Sequence, residues 1–182
     1  IVEYCSKTNA KSLLDIACGR GGDLQKWLNN RLNLKYILAF DSHSESIYSS
    51  ISKGDTFDGA IARFKSIKKH YPGKMPFINF QHLNILDNNI LQKLNAIDSN
   101  KQYDVVSCQF AFHYFAKTED TINHVLNVVS QKLRKDGIFI GTATDGDLIK
   151  NILDNGNVNI PLLTLVKQTN NNYLFYINTS QD

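Results

Sequence analysis

Glycine and aspartate residues are concentrated in one stretch of the chain, LLDIACGRGGD, at residues 13–23. Its pattern predicts a buried strand, then a glycine turn at Gly19, then a helix that begins at Asp23. Because glycine has no Cβ, such a turn lets a ligand approach the backbone closely, and the start of the helix offers free N–H groups. This chemistry suits a nucleotide-like ligand; the alternative is a glycine-rich turn that binds no ligand.

Acidic residues lie on both sides of this turn, at Asp15 and Asp23, and Ala17 stands where a dinucleotide-binding motif has its first glycine. Carboxylates suit a cationic ligand better than a pyrophosphate. Asp41 ends a second apolar run about 20 residues further on, which is the spacing of an acid that binds ribose hydroxyls. Together these features favour S-adenosylmethionine, which carries a sulfonium and an ammonium group, over NAD.

Four aromatic residues, a histidine and an amide share one run, QFAFHYF, at residues 109–115. The run follows a predicted strand, so it should leave the sheet at the same edge as the glycine turn. Flat side chains with hydrogen-bonding tips suit a heteroaromatic substrate. The alternative is that Phe110, Phe112 and Phe115 belong to the core and that His113 is structural.

The elements that must position these residues alternate between strands and helices, which predicts an α/β fold with a doubly wound, mostly parallel sheet. Right-handed crossovers then fix its topology. The predicted strands cover residues 12–18, 35–41, 76–83, 103–110 and 138–142, and the predicted helices cover residues 23–30, 61–70, 87–97 and 118–133, with a further helix through Ile47 and Ile51. After Asp145, a short helix and two strand-like runs, residues 162–167 and 173–178, predict an antiparallel edge pair at the C-terminal end.

The composition is that of a globular protein, with 182 residues, 42% apolar content and a net charge of +3. This length predicts one domain, residues 1–182, with its own core. No apolar run is long enough for a membrane span, so we expect no integral membrane protein. Cys5, Cys18 and Cys108 have no zinc-type spacing, and two of them lie in predicted strands, which favours a reducing compartment.

A mildly basic charge permits an anionic partner without requiring one. The basic residues cluster in and just after the predicted helix 61–70, at Arg63, Lys65, Lys68, Lys69 and Lys74. Such a run is typical of a solvated helix face. A phosphate-facing surface is the alternative.

Four blocks occur in a fixed order: DIACGRGGDLQKW, AFD, QFAFHY, and TATDGDLI at residues 142–149. In this order they resemble mRNA cap guanine-N7 methyltransferases, and the last two blocks are most similar to the capping enzymes of large DNA viruses. The glycine block alone is shared by most methyltransferases of this fold, whereas its combination with QFAFHY is specific. The resemblance extends from Leu13 to about Ile149. It implies a class I S-adenosylmethionine-dependent methyltransferase that acts on guanine N7 of the mRNA cap.

The resemblance also implies a binding site for S-adenosylmethionine and its product, S-adenosylhomocysteine. Asp23 would lie near the ammonium end of the cofactor and Asp41 at the ribose hydroxyls. Asn84 stands where the family usually has an acid that grips the adenine amino group, and this amide is a departure from the pattern. The implied cofactor residues are Asp15, Ala17, Gly19, Asp23, Asp41, Asn84, Ile85, Gln109 and Tyr114.

For the cap, the resemblance implies that His113 orients guanine by donating to its O6 and that Tyr114 packs between cofactor and cap. These two are the implied catalytic residues. Guanine N7 already has an in-plane lone pair, so no general base is needed and catalysis consists of orientation. No metal is expected, because the sequence has no ligand cluster for one. The implied cap-binding residues are Arg20, Lys53, Phe112, His113 and Tyr114.

Two features of the family have no clear match. One is an upstream lysine that touches the cofactor, for which Lys7 and Lys11 are the candidates. The other is a late acid that recognises the guanine edge, since no glutamate follows Glu119. We therefore expect a fragment, the methyltransferase domain of a larger capping enzyme.

The expected partners are the capped 5′ end of mRNA, covalently linked triphosphatase and guanylyltransferase domains, and a stimulatory subunit; no membrane is expected. The expected location is the host cytoplasm for a viral protein or the nucleus for a cellular one. Three alternatives stay open. They are a methyltransferase of the same fold with a small-molecule or protein substrate, a non-catalytic cofactor-binding module of a capping complex, and an NAD enzyme, which Ala17 and Asp23 disfavour.

Overall fold

Five runs rich in Leu, Ile, Val and Phe form one parallel sheet in the computed structural model, which describes residues 1–156, 158–160, 163–167 and 173–177. The strands are β1 (Ser12–Ile16), β2 (Tyr36–Asp41), β3 (Phe77–His82), β4 (Tyr103–Cys108) and β5 (Leu133–Gly141). The sheet order is β3-β2-β1-β4-β5, so the central strand, β1, pairs with β2 on one side and β4 on the other.

Helices connect these strands and cover the sheet, as parallel pairing requires. The helices are α1 (Val2–Lys7), α2 (Leu24–Trp27), α3 (Ser44–Tyr48), the 3-10 helix (Ile51–Lys53), α4 (Ala60–His70), α5 (Ile90–Asp98), α6 (Phe112–Phe115) and α7 (Glu119–Lys132). Two of them, α1 and α6, are not predicted from the sequence. The predicted helix through Ile47 and Ile51 is divided into α3 and the 3-10 helix because Ser50 is extended.

Core residues lie on both faces of the sheet, because alternate residues of a strand point to opposite sides. Leu13 and Val105 belong to one buried cluster, together with Trp27, whereas Leu14 and Val106 belong to the other. All five residues of β1 are buried, which is typical of a central parallel strand covered on both faces. The predicted α/β class and parallel sheet are therefore confirmed.

The fifth strand differs from its prediction at its start. The predicted turn at residues 135–137 lies inside β5, where Tyr103 pairs with Leu133 but Val105 pairs with Ile138. The extra residues form an irregularity in which Asp136 has a φ of 60°. Because α7 ends at Lys132, β5 begins at Leu133, whereas the predicted strand begins only after Gly137.

The chain divides into two compact units, residues 1–143 and 144–182. The second unit contains α8 (Gly146–Asp154), whose first turn is capped by the Asp145 carboxylate accepting from the Leu148 N–H at 2.9 Å. It also contains β6 (Val158–Ile160), β7 (Leu163–Lys167) and β8 (Tyr173–Ile177). The antiparallel pairing of the two predicted runs is confirmed. The expected edge pair is corrected in one respect: these strands form, with β6, a three-stranded sheet of their own. Positions 162 and 178 of the predicted runs lie outside the described residues.

No helix among the described residues is long and apolar enough to cross a membrane.

A buried ion pair connects α5 to the end of α7. The Lys132 ammonium lies 2.8 Å from the Asp98 carboxylate, and both side chains are almost fully buried. The same carboxylate accepts hydrogen bonds from the Tyr103 hydroxyl at 2.9 Å and from the Lys101 N–H at 3.2 Å. Removing one partner of such a pair leaves the other charge buried without compensation.

We predict that Asp98→Ala lowers the free energy of unfolding by about 3–5 kcal/mol, because the Lys132 ammonium keeps its desolvation cost and loses its counter-charge. Urea titration measures the change. Lys93→Ala is the matched control: it breaks the half-exposed Lys93–Asp87 pair at 2.6 Å and should cost less than about 1 kcal/mol. Equal small losses in both variants would contradict the prediction.

Candidate active site

A cleft of about 540 Å³ opens where β1 and β4 end. The chain runs from β1 to β2 on one side and returns to β4 on the other, so this is the topological switch point of the sheet, where doubly wound proteins bind ligands. The cleft brings together predicted residues that are far apart in the sequence. Those that line it are Asp15, Ala17, Gly19, Arg20, Asp23 and Gln109.

The glycine turn lies directly under this cleft. A Cβ placed on Gly19 would meet no atom within 4 Å, so the space above its backbone is open to a ligand. At Gly21 a Cβ would lie 2.7 Å from the Leu24 side chain, so this glycine lets the helix pack closely. Ala17 has a φ of 56°, a left-handed conformation that costs a residue with a Cβ about 1–2 kcal/mol. Strain of this kind is concentrated at functional sites.

Asp41 connects the end of β2 to the glycine turn. Its Oδ2 accepts from the Gly19 N–H at 2.8 Å, and its Oδ1 accepts from the His43 N–H at 2.9 Å. A carboxylate oxygen has two lone pairs, so both oxygens can still accept from ribose hydroxyls. A second, small cavity of about 30 Å³ lies beside it. Its lining includes Ala17 together with Asp41, Asn84 and Ile85, and these last three are the residues predicted for the ribose and adenine.

Asp15 is the most deeply buried acid of the cleft, with 2% of its surface exposed. Its Oδ1 has no hydrogen-bond partner within the described part of the chain. Burial raises the pKa of Asp15 to about 8, and the nearby negative charge of Asp23 adds to the rise. A buried carboxyl with an unsatisfied oxygen fits a ligand that carries a positive charge nearby.

Cations share the cleft with these acids. Asp23 is paired with Lys26 at 2.5 Å, and the guanidinium of Arg63 donates to the Arg20 carbonyl at 2.7 Å. Lys26, Ser46, Arg63 and Phe110 line the cleft and are absent from the sequence-based site. For Arg63 the basic run predicts a solvated face, and nothing in the sequence separates it from the neighbouring lysines. The cleft is therefore mixed in charge, and the acidic surroundings suggested by the sequence are only part of it.

Within the aromatic run, Phe110 lines the cleft and Phe115 lies in the hydrophobic core. Phe110 has a φ of 57°, is 73% exposed and donates its N–H to the Thr142 hydroxyl at 2.6 Å. Phe115 is buried in the core, and the Phe112 ring packs edge-on against Phe139 at 5.4 Å. The core alternative therefore applies to Phe115, and Phe112 has a packing role besides its predicted cap contact.

The rings of His113 and Tyr114 are in contact in α6, tilted by 47° with their centroids 4.2 Å apart. The Nδ1 atom of His113 is buried and has no hydrogen-bond partner among the described residues, whereas Tyr114 is 71% exposed. Neither residue, nor Phe112, is among those that line the cleft. Their roles at the cap stay predictions.

The remaining basic candidates lie elsewhere. Lys53 lines a separate groove. Lys7 is paired with Glu3, Lys11 donates to the Asn9 side chain, and neither lines the cleft. Within the described ranges, no group of His, Cys, Asp and Glu side chains is placed to hold a metal ion.

Comparison with solved structures supports the fold. A S-adenosylmethionine-dependent methyltransferase from Clostridium acetobutylicum superposes with a TM-score of 0.57 at 19% identity, over 96% of this chain and 68% of that one. The plantazolicin methyltransferase BamL, solved with S-adenosylhomocysteine (SAH), gives 0.53 at 21% identity, over 84% and 46%. At these identities the likeness concerns the fold alone.

Comparison of sequences identifies the family more specifically than comparison of folds. The chain is 35% identical over 144 residues to the mRNA cap guanine-N(7) methyltransferase of Caenorhabditis briggsae, covering 79% of this chain and 34% of that protein. It is 29% identical over 192 residues to a probable mRNA-capping enzyme of Acanthamoeba polyphaga mimivirus, covering 98% and 16%. It is 31% identical over 138 residues to mRNA cap guanine-N(7) methyltransferase 1 of Arabidopsis thaliana, covering 76% and 34%. The chain thus spans about a third or less of the length of these relatives.

The family model described as the mRNA (guanine-N(7))-methyltransferase domain matches residues 1–160. This match covers the whole parallel sheet and the cleft at its switch point. The predicted resemblance is confirmed: the chain belongs to the mRNA (guanine-N(7))-methyltransferase family.

Proposed function

We propose that the protein transfers a methyl group from S-adenosylmethionine to N7 of the guanine cap of mRNA. The observation that carries the proposal is the cleft at the switch point. It joins Asp15 and Gly19 from one sequence block to Gln109 from another, in a chain of the cap methyltransferase family. The neighbouring cavity adds Asp41 and Asn84.

The residues present fit this cofactor. The open space above Gly19 admits a ligand to the backbone, and the unsatisfied, buried oxygen of Asp15 suits the positively charged methionine end. Asp41 and Asn84 line the small cavity at the other side of Ala17, and we assign their side chains to the adenosine end, as a carboxylate acceptor for hydroxyls and an amide for the base. When bound, S-adenosylmethionine supplies a methyl group activated by a sulfonium.

In this proposal the residues of the chain position the guanine and do not remove a proton. The N7 lone pair of guanine lies in the ring plane and can attack a methyl carbon directly, so orientation is the main catalytic task. His113 donates a hydrogen bond to the guanine O6, and Tyr114 packs beside the base. Arg20 and Arg63, at the cleft, stabilise the negative charge of the cap triphosphate.

We also propose that the chain acts as the methyltransferase part of a larger capping enzyme with linked triphosphatase and guanylyltransferase domains. The match over 98% of this chain but 16% of a probable mRNA-capping enzyme from mimivirus supports this arrangement. Cys5, Cys18 and Cys108 are buried free thiols, which supports a reducing compartment. That compartment is the host cytoplasm for a viral protein and the nucleus for a cellular one.

A second candidate function is a cofactor-binding module that does not catalyse transfer. One observation favours it: His113 and Tyr114 do not line the cleft. Transfer assays separate the two functions. RNA with an unmethylated cap should accept the labelled methyl group, and the same RNA carrying an N7-methylated cap should not. Binding of SAH without any transfer would favour the module.

The contacts of Asp41 generate the first prediction. Asp41→Ala removes an acceptor for the ribose and releases the Gly19 N–H, so SAH should bind at least about tenfold more weakly in calorimetry. Glu45→Ala, an exposed acid in α3, is the charge-matched control and should bind normally. Unchanged affinity in a folded Asp41→Ala protein would contradict the prediction.

The buried carboxyl of Asp15 predicts a pH effect. With a pKa of about 8, Asp15 is mostly protonated at pH 6 to 7. Because the ionised carboxylate is favoured beside a cation, binding of a sulfonium ligand should release a proton. Affinity should then rise with pH, by up to about tenfold per unit, until the pH passes 8.

Calorimetry at pH 6, 7 and 8 should therefore show a steeper rise for S-adenosylmethionine than for SAH. SAH has the same amino and carboxylate groups but no sulfonium, so the titration of those groups cancels in the comparison. Asp15→Asn should make the two pH profiles parallel. Parallel profiles in the unaltered protein would exclude the proposed role of Asp15.

The aromatic run generates a prediction on catalysis. His113→Ala should bind SAH nearly normally but lose about 10- to 100-fold in methyl transfer to capped RNA, because misoriented reactants react slowly. His113→Gln keeps a hydrogen-bond donor and should recover part of the rate. If His113 is only structural, cofactor binding and thermal stability will fall together with activity, and neither loss will be repaired by glutamine.

A further inference from the structure

A second opening, separate from the cleft, lies between α4 and the segment from α3 through the 3-10 helix. It has a volume of about 340 Å³. Three lysines line it, Lys53, Lys65 and Lys69, together with Tyr48 and the single acid Asp58. We call this opening the lysine groove. Ser50, Ser52 and Ser66 also line it, together with Ile61 and Ala62.

Positive charge exceeds negative charge in the lysine groove, since three lysines and one acid line it. Lys65 and Lys69 are one turn apart on α4, so their side chains leave the same helix face, with Cβ atoms about 5–6 Å apart. Both are exposed, and neither ammonium group makes a hydrogen bond or an ion pair with any described residue. The Asp58 Oδ1 is occupied by the Ile51 N–H at 2.9 Å.

Exposed aromatic side chains lie beside these charges. Tyr48, in the wall of the groove, is 51% exposed. Phe57, adjacent in sequence to the groove residue Asp58, is 61% exposed, and the Arg20 guanidinium lies 5.3 Å from its ring centroid. A basic groove combined with exposed aromatic rings is typical of surfaces that bind single-stranded nucleic acid, where bases stack and lysines follow the phosphates.

The lysine groove adjoins the cleft through two shared elements. Arg20 lines the cleft and donates to the carbonyl of Asp58, which lines the groove, at 3.4 Å. Helix α4 contributes Arg63 to the cleft and Lys65 to the groove. The contact between Arg20 and Asp58 therefore places the two openings side by side.

We propose that the lysine groove binds the phosphate backbone of the first nucleotides that follow the cap. The inference rests on the proposed function for the identity of the chain that enters the groove. Recognition here is by charge and stacking, so it does not depend on the RNA sequence. The groove lets the enzyme bind a capped transcript more tightly than a free cap dinucleotide.

The test measures binding of a fluorescent single-stranded RNA of about ten nucleotides by anisotropy, over a range of salt concentrations. The RNA is used with a cap and with a 5′-hydroxyl end. In the double variant Lys65→Ala with Lys69→Ala, two phosphate contacts are lost. Each phosphate contact with a single strand contributes about 0.7 to the steepness of log K against log salt, so this slope should become shallower by about 1.4. The affinity for RNA near 0.1 M salt should fall by about 25-fold.

Lys68→Ala with Lys74→Ala is the matched control. It removes the same charge from exposed lysines that do not line the groove and should leave the RNA affinity and the salt slope nearly unchanged. Tyr48→Ala should weaken RNA binding at least about fivefold through lost stacking, whereas Tyr48→Phe should not. Binding of SAH and methylation of cap dinucleotide should be normal in the groove variants.

Equal losses in the two double variants would overturn the proposal, because the effect would then be one of overall charge. An unchanged RNA affinity in the Lys65→Ala and Lys69→Ala protein would overturn it as well. The 5′-hydroxyl RNA needs neither a cap nor catalysis, so the groove is tested even if methyl transfer fails. Failure of the proposed function is detected separately, in the transfer assay, where no labelled methyl group would be found on the cap.

Discussion

The Asp41 carboxylate is the constraint on which the cleft depends. Its two oxygens hold the Gly19 and His43 N–H groups at 2.8 and 2.9 Å, so the glycine turn and the segment after β2 are fixed to one buried side chain. The turn is strained at Ala17 and has no side chain of its own at Gly19. A charged acceptor forms stronger hydrogen bonds than a neutral one, and this strength keeps the turn in a shape that leaves its upper side open.

Charge is distributed unevenly around that turn. Asp15 lies at the floor of the cleft in a setting that raises its pKa to about 8, while Arg20, Lys26 and Arg63 line the cleft more openly. An acid that is buried and cations that are accessible can serve two ligands of opposite charge. The floor suits a cationic methyl donor, and the rim suits a polyanionic acceptor.

The sequence predicts the strands well, because parallel strands buried on both faces are continuous apolar runs such as YILAFD. It also predicts the residues of the cleft that follow strand ends, since the carboxyl ends of parallel strands share one edge of the sheet. Arg63 could not be predicted, because a helix face near a cleft has the same composition as a face in water. The same ambiguity hides the lysine groove. The position of His113 and Tyr114 depends on α6, a one-turn helix without a pattern of its own.

Ala17 has an evolutionary consequence. Ala17 lines both the cleft and the small cavity beside Asp41, and its backbone is left-handed. A larger side chain would obstruct the cleft and the small cavity at once while carrying the same backbone strain. We therefore expect this position to tolerate only the smallest residues, alanine and glycine. Sequence searches for further proteins with this arrangement should admit both residues here and should not require the glycine that dinucleotide motifs have.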